Sequence, residues 1–368
     1  MRYYELDTPA LLIDRKIMMD NLSSMQKYAD KYNVGLRPHI KTHKTPSLAK
    51  LQQEIGAKGI TVAKVGEAEV MAKSGLSNIF IANEIVGKSK IERIRKLSET
   101  IDISFGIDNV YQVNEIEKVF EGAVKKAQVL VEIEVGEERS GVIEEGDFRR
   151  LLETVRNCKN VVLKGIFSHD GHSYKAESVE QCKLFYMESV KRTLRFAEIA
   201  EEMNLKPTVV SIGSTPPFIF KFDIPKGITE IRPGTYIFMD SAQANAIGTY
   251  NRCAASVLTT IISKPTKERV ITDVGAKGIT AQTRSKGLTT TKGLGRIKEF
   301  EDVHISGVFD EHAIIYNQDF SNQVNVGDKV QIIPNHICPV VNLHEKAYLI
   351  SEGKVMEELL IECRGKLQ

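Results

Sequence analysis

The 368-residue sequence lacks a charge imbalance: 50 Lys and Arg against 48 Asp and Glu leave a net charge of +2. With no strong basic run, it has no electrostatic footprint for nucleic acid or for an anionic membrane. Cysteine is scarce. Five residues, at 158, 182, 253, 338 and 363, are odd in number, widely scattered and form no CxxC pair. That excludes a disulfide framework and suits a reducing compartment. No apolar run approaches the roughly 20 residues of a membrane-spanning helix. The N-terminal MRYYELDTPALLID has no charged-then-apolar leader pattern. These absences predict a soluble cytoplasmic protein with no nucleic-acid or membrane partner. Hydrophobic residues at 42% and charged residues at 27% are ordinary globular proportions. The length suggests two domains, or one large domain with an appendage.

The chain has a rhythm over its first 240 residues. Eight β-rich runs recur: VGLRPHI from Val34, GITVAKV from Gly59, NIFIANE from Asn78 and DISFGID from Asp102, then AQVLVEIEVG from Ala127, VVLKGIFSH from Val161, TVVSIGS from Thr208 and EIRPGTYIF from Glu230. Helix-patterned segments lie between them, including residues 66–75 and the long stretch from Glu177 to about Asn204. Strand–helix alternation predicts a parallel sheet of βαβ units, and eight repeats are the count of a (β/α)8 barrel. An open doubly wound sheet is the alternative, but no GxGxxG follows the first strand. After about Ser241 short Val-, Thr- and Ile-rich runs alternate with Gly, Pro, Asn and Asp turns, the pattern of an antiparallel β domain. The expected division is a barrel over 8–240 and a β domain over 241–368 that also takes residues 1–7. The polar tract from about Gln282 to Gly295 reads as an exposed loop.

Barrel chemistry collects at the C-terminal ends of the strands. Here those ends read RPHIKTHK (37–44), EVG…RSG (134–141), SHDGHSY (168–174), GST (213–215) and RPGTY (232–236), followed late in the chain by PNHIC (334–338). In combination and order these motifs resemble the D-threonine aldolase/D-serine dehydratase family, pyridoxal-phosphate enzymes of the alanine-racemase fold type. The resemblance covers nearly the whole chain. It implies a pyridoxal 5′-phosphate (PLP) barrel, a C-terminal β domain, a homodimer and a small-molecule D-amino-acid substrate.

Lys41 then corresponds to the Schiff-base lysine, and partial desolvation at a strand end would favour its neutral amine. Gly213, Ser214 and Thr215, with Gly234, Thr235 and Tyr236, offer small-residue backbone donors where barrels commonly bind phosphate. Arg139 resembles the arginine near the cofactor hydroxyl, His169 a ring-stacking imidazole and Tyr174 a cofactor-bonding phenol. Arg232 is left open as a partner of the pyridine nitrogen, and Phe167 is a candidate for the pocket wall. In an extended PNHIC segment, His336 and Cys338 would face the same way. A thiolate beside an imidazole favours Zn²⁺ over Mn²⁺ or Mg²⁺, and the family resemblance turns the pair into candidate metal ligands; by itself HxC is equally the pattern of a buried histidine and an inert thiol. Asp273, Lys277, Glu311 and His312 stay unassigned. The expected activity is a PLP- and metal-dependent lyase of β-hydroxy D-amino acids. D-serine-type dehydration is preferred; retro-aldol cleavage and racemisation are the alternatives.

Overall fold

A computed structural model describes residues 1–368. It divides into two units: Met25–Lys41, Pro46–Gly234 and Gly365–Gln368 form one, and Met1–Ser24, Thr42–Thr45 and Thr235–Arg364 the other. The chain opens with β1 (Ala10–Asp14) and α1 (Arg15–Lys31). Eight strands follow: β2 (Gly35–Leu36), β3 (Ile60–Val62), β4 (Asn78–Glu84), β5 (Asp102–Ile107), β6 (Ala127–Ile133), β7 (Val161–His169), β8 (Val209–Gly213) and β9 (Glu230–Arg232). Between them run α2 (Pro46–Ile55), α3 (Val65–Lys73), α4 (Lys88–Ser98), α5 (Val110–Val119), α6 (Glu145–Asn157), α7 (Val179–Glu202) and α8 (Pro216–Ile219).

Every neighbouring pair in the order β2-β9-β8-β7-β6-β5-β4-β3 is parallel. A parallel bridge between His39 and Thr61, with Thr61 N–H donating to Pro38 O at 2.8 Å, joins the two ends of that order. The sheet is therefore closed, and its eight strands are the eight runs picked out by pattern. Their residues are apolar on both faces because helices cover the outside of the ring: Val62, Ile81, Phe105, Val129, Val131 and Ile166 are all fully buried. The helices show why they pack there. In α6, Phe148, Leu151, Leu152 and Val155 recur at helical spacing and are buried, while Glu145 and Asp147 occupy the first turn. Asn109 and Gln112 form a capping box on α5. No helix is long and apolar enough to cross a membrane.

The second unit contains β10 (Ala255–Ser263), β11 (Arg269–Thr272), β12 (Arg296–Ile297), β13 (Gly307–Val308), β14 (Ala313–Tyr316), β15 (Lys329–Ile333), β16 (Lys346–Ser351) and β17 (Lys354–Leu360). Its sheet runs β13-β14-β11-β10-β1-β16-β17, with β15 pairing both β10 and β12. All pairs are antiparallel except β1 with β16. β1 and β14 had no counterpart in the pattern reading. The short helices α9 (Ser241–Ile247), α10 (Ala276–Ile279), α11 (Gln318–Gln323) and α12 (Ile337–Val341) complete this unit.

Candidate active site

Within the barrel unit, β2 runs into a 3-10 turn, Ile40–Thr42, that carries Lys41. Lys41 N–H donates to His39 Nδ1 at 3.4 Å, which fixes the start of the turn. Arg37 does not add to the charge around the lysine as an exposed neighbour would. It is buried, with Nε 2.7 Å from Glu230 Oε2 and Nη1 2.7 Å from Asn78 Oδ1. Burial opposes the Glu230 charge, but Arg37 and the Ser211 hydroxyl hold its carboxyl pKa below the usual range. Arg232 completes this interior network, giving Nη1 to Ser211 Oγ at 2.6 Å and Nη2 to the Ser168 carbonyl at 2.8 Å. Burial lowers its guanidinium pKa to about 10. Its face lies over Phe167 at 5.2 Å and Phe80 at 5.7 Å, so Phe167 is a wall of this network.

The loop after β6 is held by Glu134, whose Oε1 accepts from the N–H groups of Gly136 and Glu138 at 2.7 and 2.9 Å. Gly136 has φ 120°, a conformation that glycine accepts without strain. Arg139 emerges from this loop between two carboxylates, 3.3 Å from Glu132 and 3.5 Å from Glu137. Glu132 also accepts from Ser140 Oγ at 2.9 Å and is buried. Glu84, at the end of β4, meets Glu132 carboxyl to carboxyl. Burial and then this neighbour push the Glu84 pKa up to about 9. Burial also raises Glu137, against the opposing charges of Arg139 and Lys41.

His169 ends β7, and its Nε2 is 3.7 Å from Glu137 Oε2. Burial, reinforced by Lys41, Arg139 and Arg232, drives its imidazole pKa well down, so the ring is neutral. Asp170 is pushed up to about 7 by burial, which the Ser214 and Ser173 hydroxyls oppose. Tyr174 Oη accepts the Thr215 N–H at 3.1 Å, and Gly234 N–H points at Thr215 Oγ1 at 3.4 Å. The residues 213–215 and 174 are thus brought together, with Gly234 beside them. Pro216 and Pro217 begin α8, where proline's missing N–H costs nothing. His172 packs its ring against Phe185 and over Gly136, where a Cβ would come within 3.1 Å of it.

These residues fit a pyridoxal phosphate. Ser214 has φ 117°, and its Oγ is buried without a well-formed hydrogen bond. A Cβ on Gly213 would come within 2.9 Å of Arg232 Nη2 and 3.2 Å of His169 Nδ1, so the glycine keeps that approach open. The arrangement offers hydroxyls and backbone N–H groups for a phosphate, together with a lysine for the aldehyde.

Within the other unit, Asp240 is the centre of the second cluster. Its Oδ2 accepts from His336 Nδ1 at 3.0 Å and from Ile337 N–H at 3.1 Å, and its Oδ1 caps α9 through Gln243 N–H at 3.0 Å. With Nδ1 donating, His336 keeps Nε2 for a metal, the orienting arrangement usual for a ligating histidine. The Cys338 thiol is in hydrogen-bonding reach of the His336 ring, and lies 3.2 Å from Thr42 Oγ1 and 3.7 Å from Thr235 Oγ1. The reason for the pairing differs from the strand argument. His336 is extended, but it is the N-cap of α12 and Cys338 lies inside that helix; a cap and the first turn bring the two together. The donor set, one backed imidazole and one thiol, fits a divalent metal that keeps open positions. Tyr236 is fully buried beside Thr235 in a 3-10 turn. Asp273 accepts from Thr259 Oγ1 and Thr260 N–H, and Lys277 pairs with Glu311 at 2.8 Å, which are structural roles. Of the other cysteines, Cys182, Cys253 and Cys363 are buried.

Reasoning from sequence missed Glu84, Glu132, Glu137, Asp170 and Asp240. Glu84, Glu132, Glu137 and Asp170 were marked only by lying at or near strand ends, where acidic residues also serve as solvated loops, and Asp240 is the N-cap of α9 with no such mark. Comparison with known proteins adds the lineage. Residues 13–242 match the family model of the alanine racemase N-terminal domain, and residues 254–350 that of a serine dehydratase domain. A D-threonine aldolase from Arthrobacter sp. is 29% identical over 98% of this chain and 93% of its own length. A D-serine dehydratase from Dictyostelium discoideum is 27% identical over 94% of each. The solved structure of D-threo-3-hydroxyaspartate dehydratase from Delftia sp. HT23 superposes with a TM-score of 0.90 at 26% identity, covering 98% of both chains. With a lysine-bearing barrel followed by a serine dehydratase domain, the chain belongs to the alanine-racemase-like family of pyridoxal-phosphate enzymes, on its lyase branch.

Proposed function

We propose that this enzyme is a PLP- and metal-dependent lyase of β-hydroxy D-amino acids that removes water from a D-serine-like substrate, giving a keto acid and ammonia. The observation that carries this reading is the His336–Cys338 pair backed by Asp240, because a thiol and an imidazole form a donor set for zinc. When bound, pyridoxal phosphate supplies an electron sink for charge at the substrate Cα, and the metal supplies a Lewis acid for the β-hydroxyl. Lys41 would hold the cofactor, and its Nζ, when free, would take the substrate Cα proton. Ser214, Thr215 and Gly234, with the Tyr174 phenol, would cradle the phosphate, while Thr235 and Tyr236 add donors from the adjoining segment. The neutral His169 ring supports the cofactor face without adding a charge. Arg139, hydrogen-bonded to Glu132 at 3.3 Å, would hold its guanidinium for the cofactor hydroxyl.

The test is a product assay with D-serine, D-threonine and D-3-hydroxyaspartate. Ammonia with keto acid supports dehydration. Glycine with an aldehyde would move the chain to the aldolase reading, which its similarity to a D-threonine aldolase favours. Loss of chirality in alanine without either product set would make it a racemase.

A further inference from the structure

We propose that the Glu137 carboxylate sets the substrate class, admitting β-hydroxy D-amino acids with an uncharged side chain and turning away those with a second carboxylate. This rests on the assignment of Lys41 as the cofactor lysine.

Four observations support it. The loop that presents Glu137 is pinned, because Glu134 Oε1 gathers the N–H groups on either side of it. The carboxylate is pressed against Gly171: a Cβ there would overlap Glu137 Oε1, so only glycine leaves room for it. Glu137 Oε2 is buried without a well-formed hydrogen bond, 3.5 Å from Arg139 and 3.7 Å from His169. It is also within Coulombic range of Lys41. Three residues assigned to the cofactor thus surround a carboxylate that the reaction does not use.

A substrate amine that replaces Lys41 Nζ brings its Cβ to within two bonds of that nitrogen. Any charge on the β-substituent then shares partly desolvated surroundings with Glu137, where like charges repel more strongly than in water. Arg139 does not cancel this repulsion, since Glu132 also claims its charge. The neighbouring His169 contributes none. A neutral hydroxymethyl or hydroxyethyl group meets no such opposition. Discrimination of this kind works through an unfavourable element aimed at the wrong ligand.

The experiment titrates the holoenzyme at pH 8 with D-alanine and D-aspartate and follows the visible absorbance of the bound cofactor. Neither amino acid has a β-hydroxyl to lose, so the change reports binding. Wild type is expected to bind D-alanine at least tenfold tighter than D-aspartate. Glu137→Gln should narrow that ratio tenfold or more while shifting the D-alanine Kd less than threefold, and Glu137→Asp should keep it. A purely structural carboxylate would move both affinities together, and that result overturns the proposal. So does an unchanged ratio in Glu137→Gln, or the absence of discrimination in wild type. A protein whose spectrum responds to neither amino acid, and is the same in Lys41→Ala, overturns the cofactor assignment and this inference with it.

Discussion

At the residue scale, the strongest electrostatic statement concerns Glu84 and Glu132. Glu84 meets the Glu132 carboxyl, and burial of its own carboxyl followed by that neighbour raises the Glu84 pKa to about 9. A carboxyl raised in the folded state binds a proton that the unfolded chain has lost. Its contribution is complete below the unfolded value of about 4.3 and is lost as pH climbs through the raised folded value. Urea unfolding at pH steps from 5 to 9 should therefore show wild type losing stability with rising pH. Glu84→Gln, which stays neutral, should flatten that slope and exceed wild type at pH 9; an unchanged slope would show that Glu84 is not raised in the folded state. None of this was readable beforehand. EVGEERSG drew attention through Arg139, whereas Glu132, inside the strand run AQVLVEIEVG, and Glu137, inside the motif, were given no role. Which glutamate faces inward is decided by strand pairing and by the turn at Gly136, and spacing alone does not encode either.

Elements were more legible, for a physical reason. A strand buried on both faces must be a short apolar run, and a helix covering it must carry an apolar stripe, so all eight barrel strands declared themselves. β1 did not, because its partners β10 and β16 lie more than 240 residues away. The motif PNHIC exposed a subtler limit. The pairing of His336 with Cys338 was anticipated, but through strand alternation, and the segment turns out to be a helix cap because Asp240 accepts the Ile337 N–H. Two substitutions test what holds the barrel elements together. Gly165 faces Val209 across the β7–β8 ladder, and a Cβ there would overlap the Val209 carbonyl oxygen. Gly165→Ala should cost about 1–3 kcal/mol in chemical denaturation. Glu230 ties β9 to Arg37 and to Ser211 of β8. Removing it leaves a buried guanidinium unpaired, so Glu230→Ala should cost about 3–5 kcal/mol at pH 7. Since its folded pKa is depressed, the Glu230 contribution is present above the ordinary carboxylate range and fades as pH falls through the lowered value. The gap between wild type and Glu230→Ala should therefore shrink in acid; a gap that stays constant to pH 3 would contradict the ion-pair account.

For the whole molecule, the candidate metal ligands share one unit of the chain with Thr235 and Tyr236, while the other candidate cofactor residues belong to the barrel unit. Lys41, Tyr174, Gly213, Ser214, Thr215 and Gly234 lie in the barrel unit, and His336, Cys338 and Asp240 in the other. On the proposed assignment cofactor and metal would have separate side-chain donors, and each should be removable without the other. The division of labour was partly legible, because the barrel rhythm stops before the HxC motif begins, but the carboxylate behind His336 comes from residue 240 and only folding reveals it. Chelation followed by gel filtration should abolish turnover of D-serine or D-threonine while the visible absorbance of the lysine-bound cofactor persists. Lys41→Ala should do the reverse, losing the absorbance while elemental analysis still finds the metal. Asp240→Asn keeps both ligands but replaces the carboxylate that accepts from His336 Nδ1, so metal affinity should fall about 10- to 100-fold, the usual effect of losing such a partner, again with the absorbance intact. Full turnover after verified metal loss would reduce PNHIC to a helix cap. Absorbance that disappears with the metal would mean that the two groups depend on one another, against the separation that their donors describe.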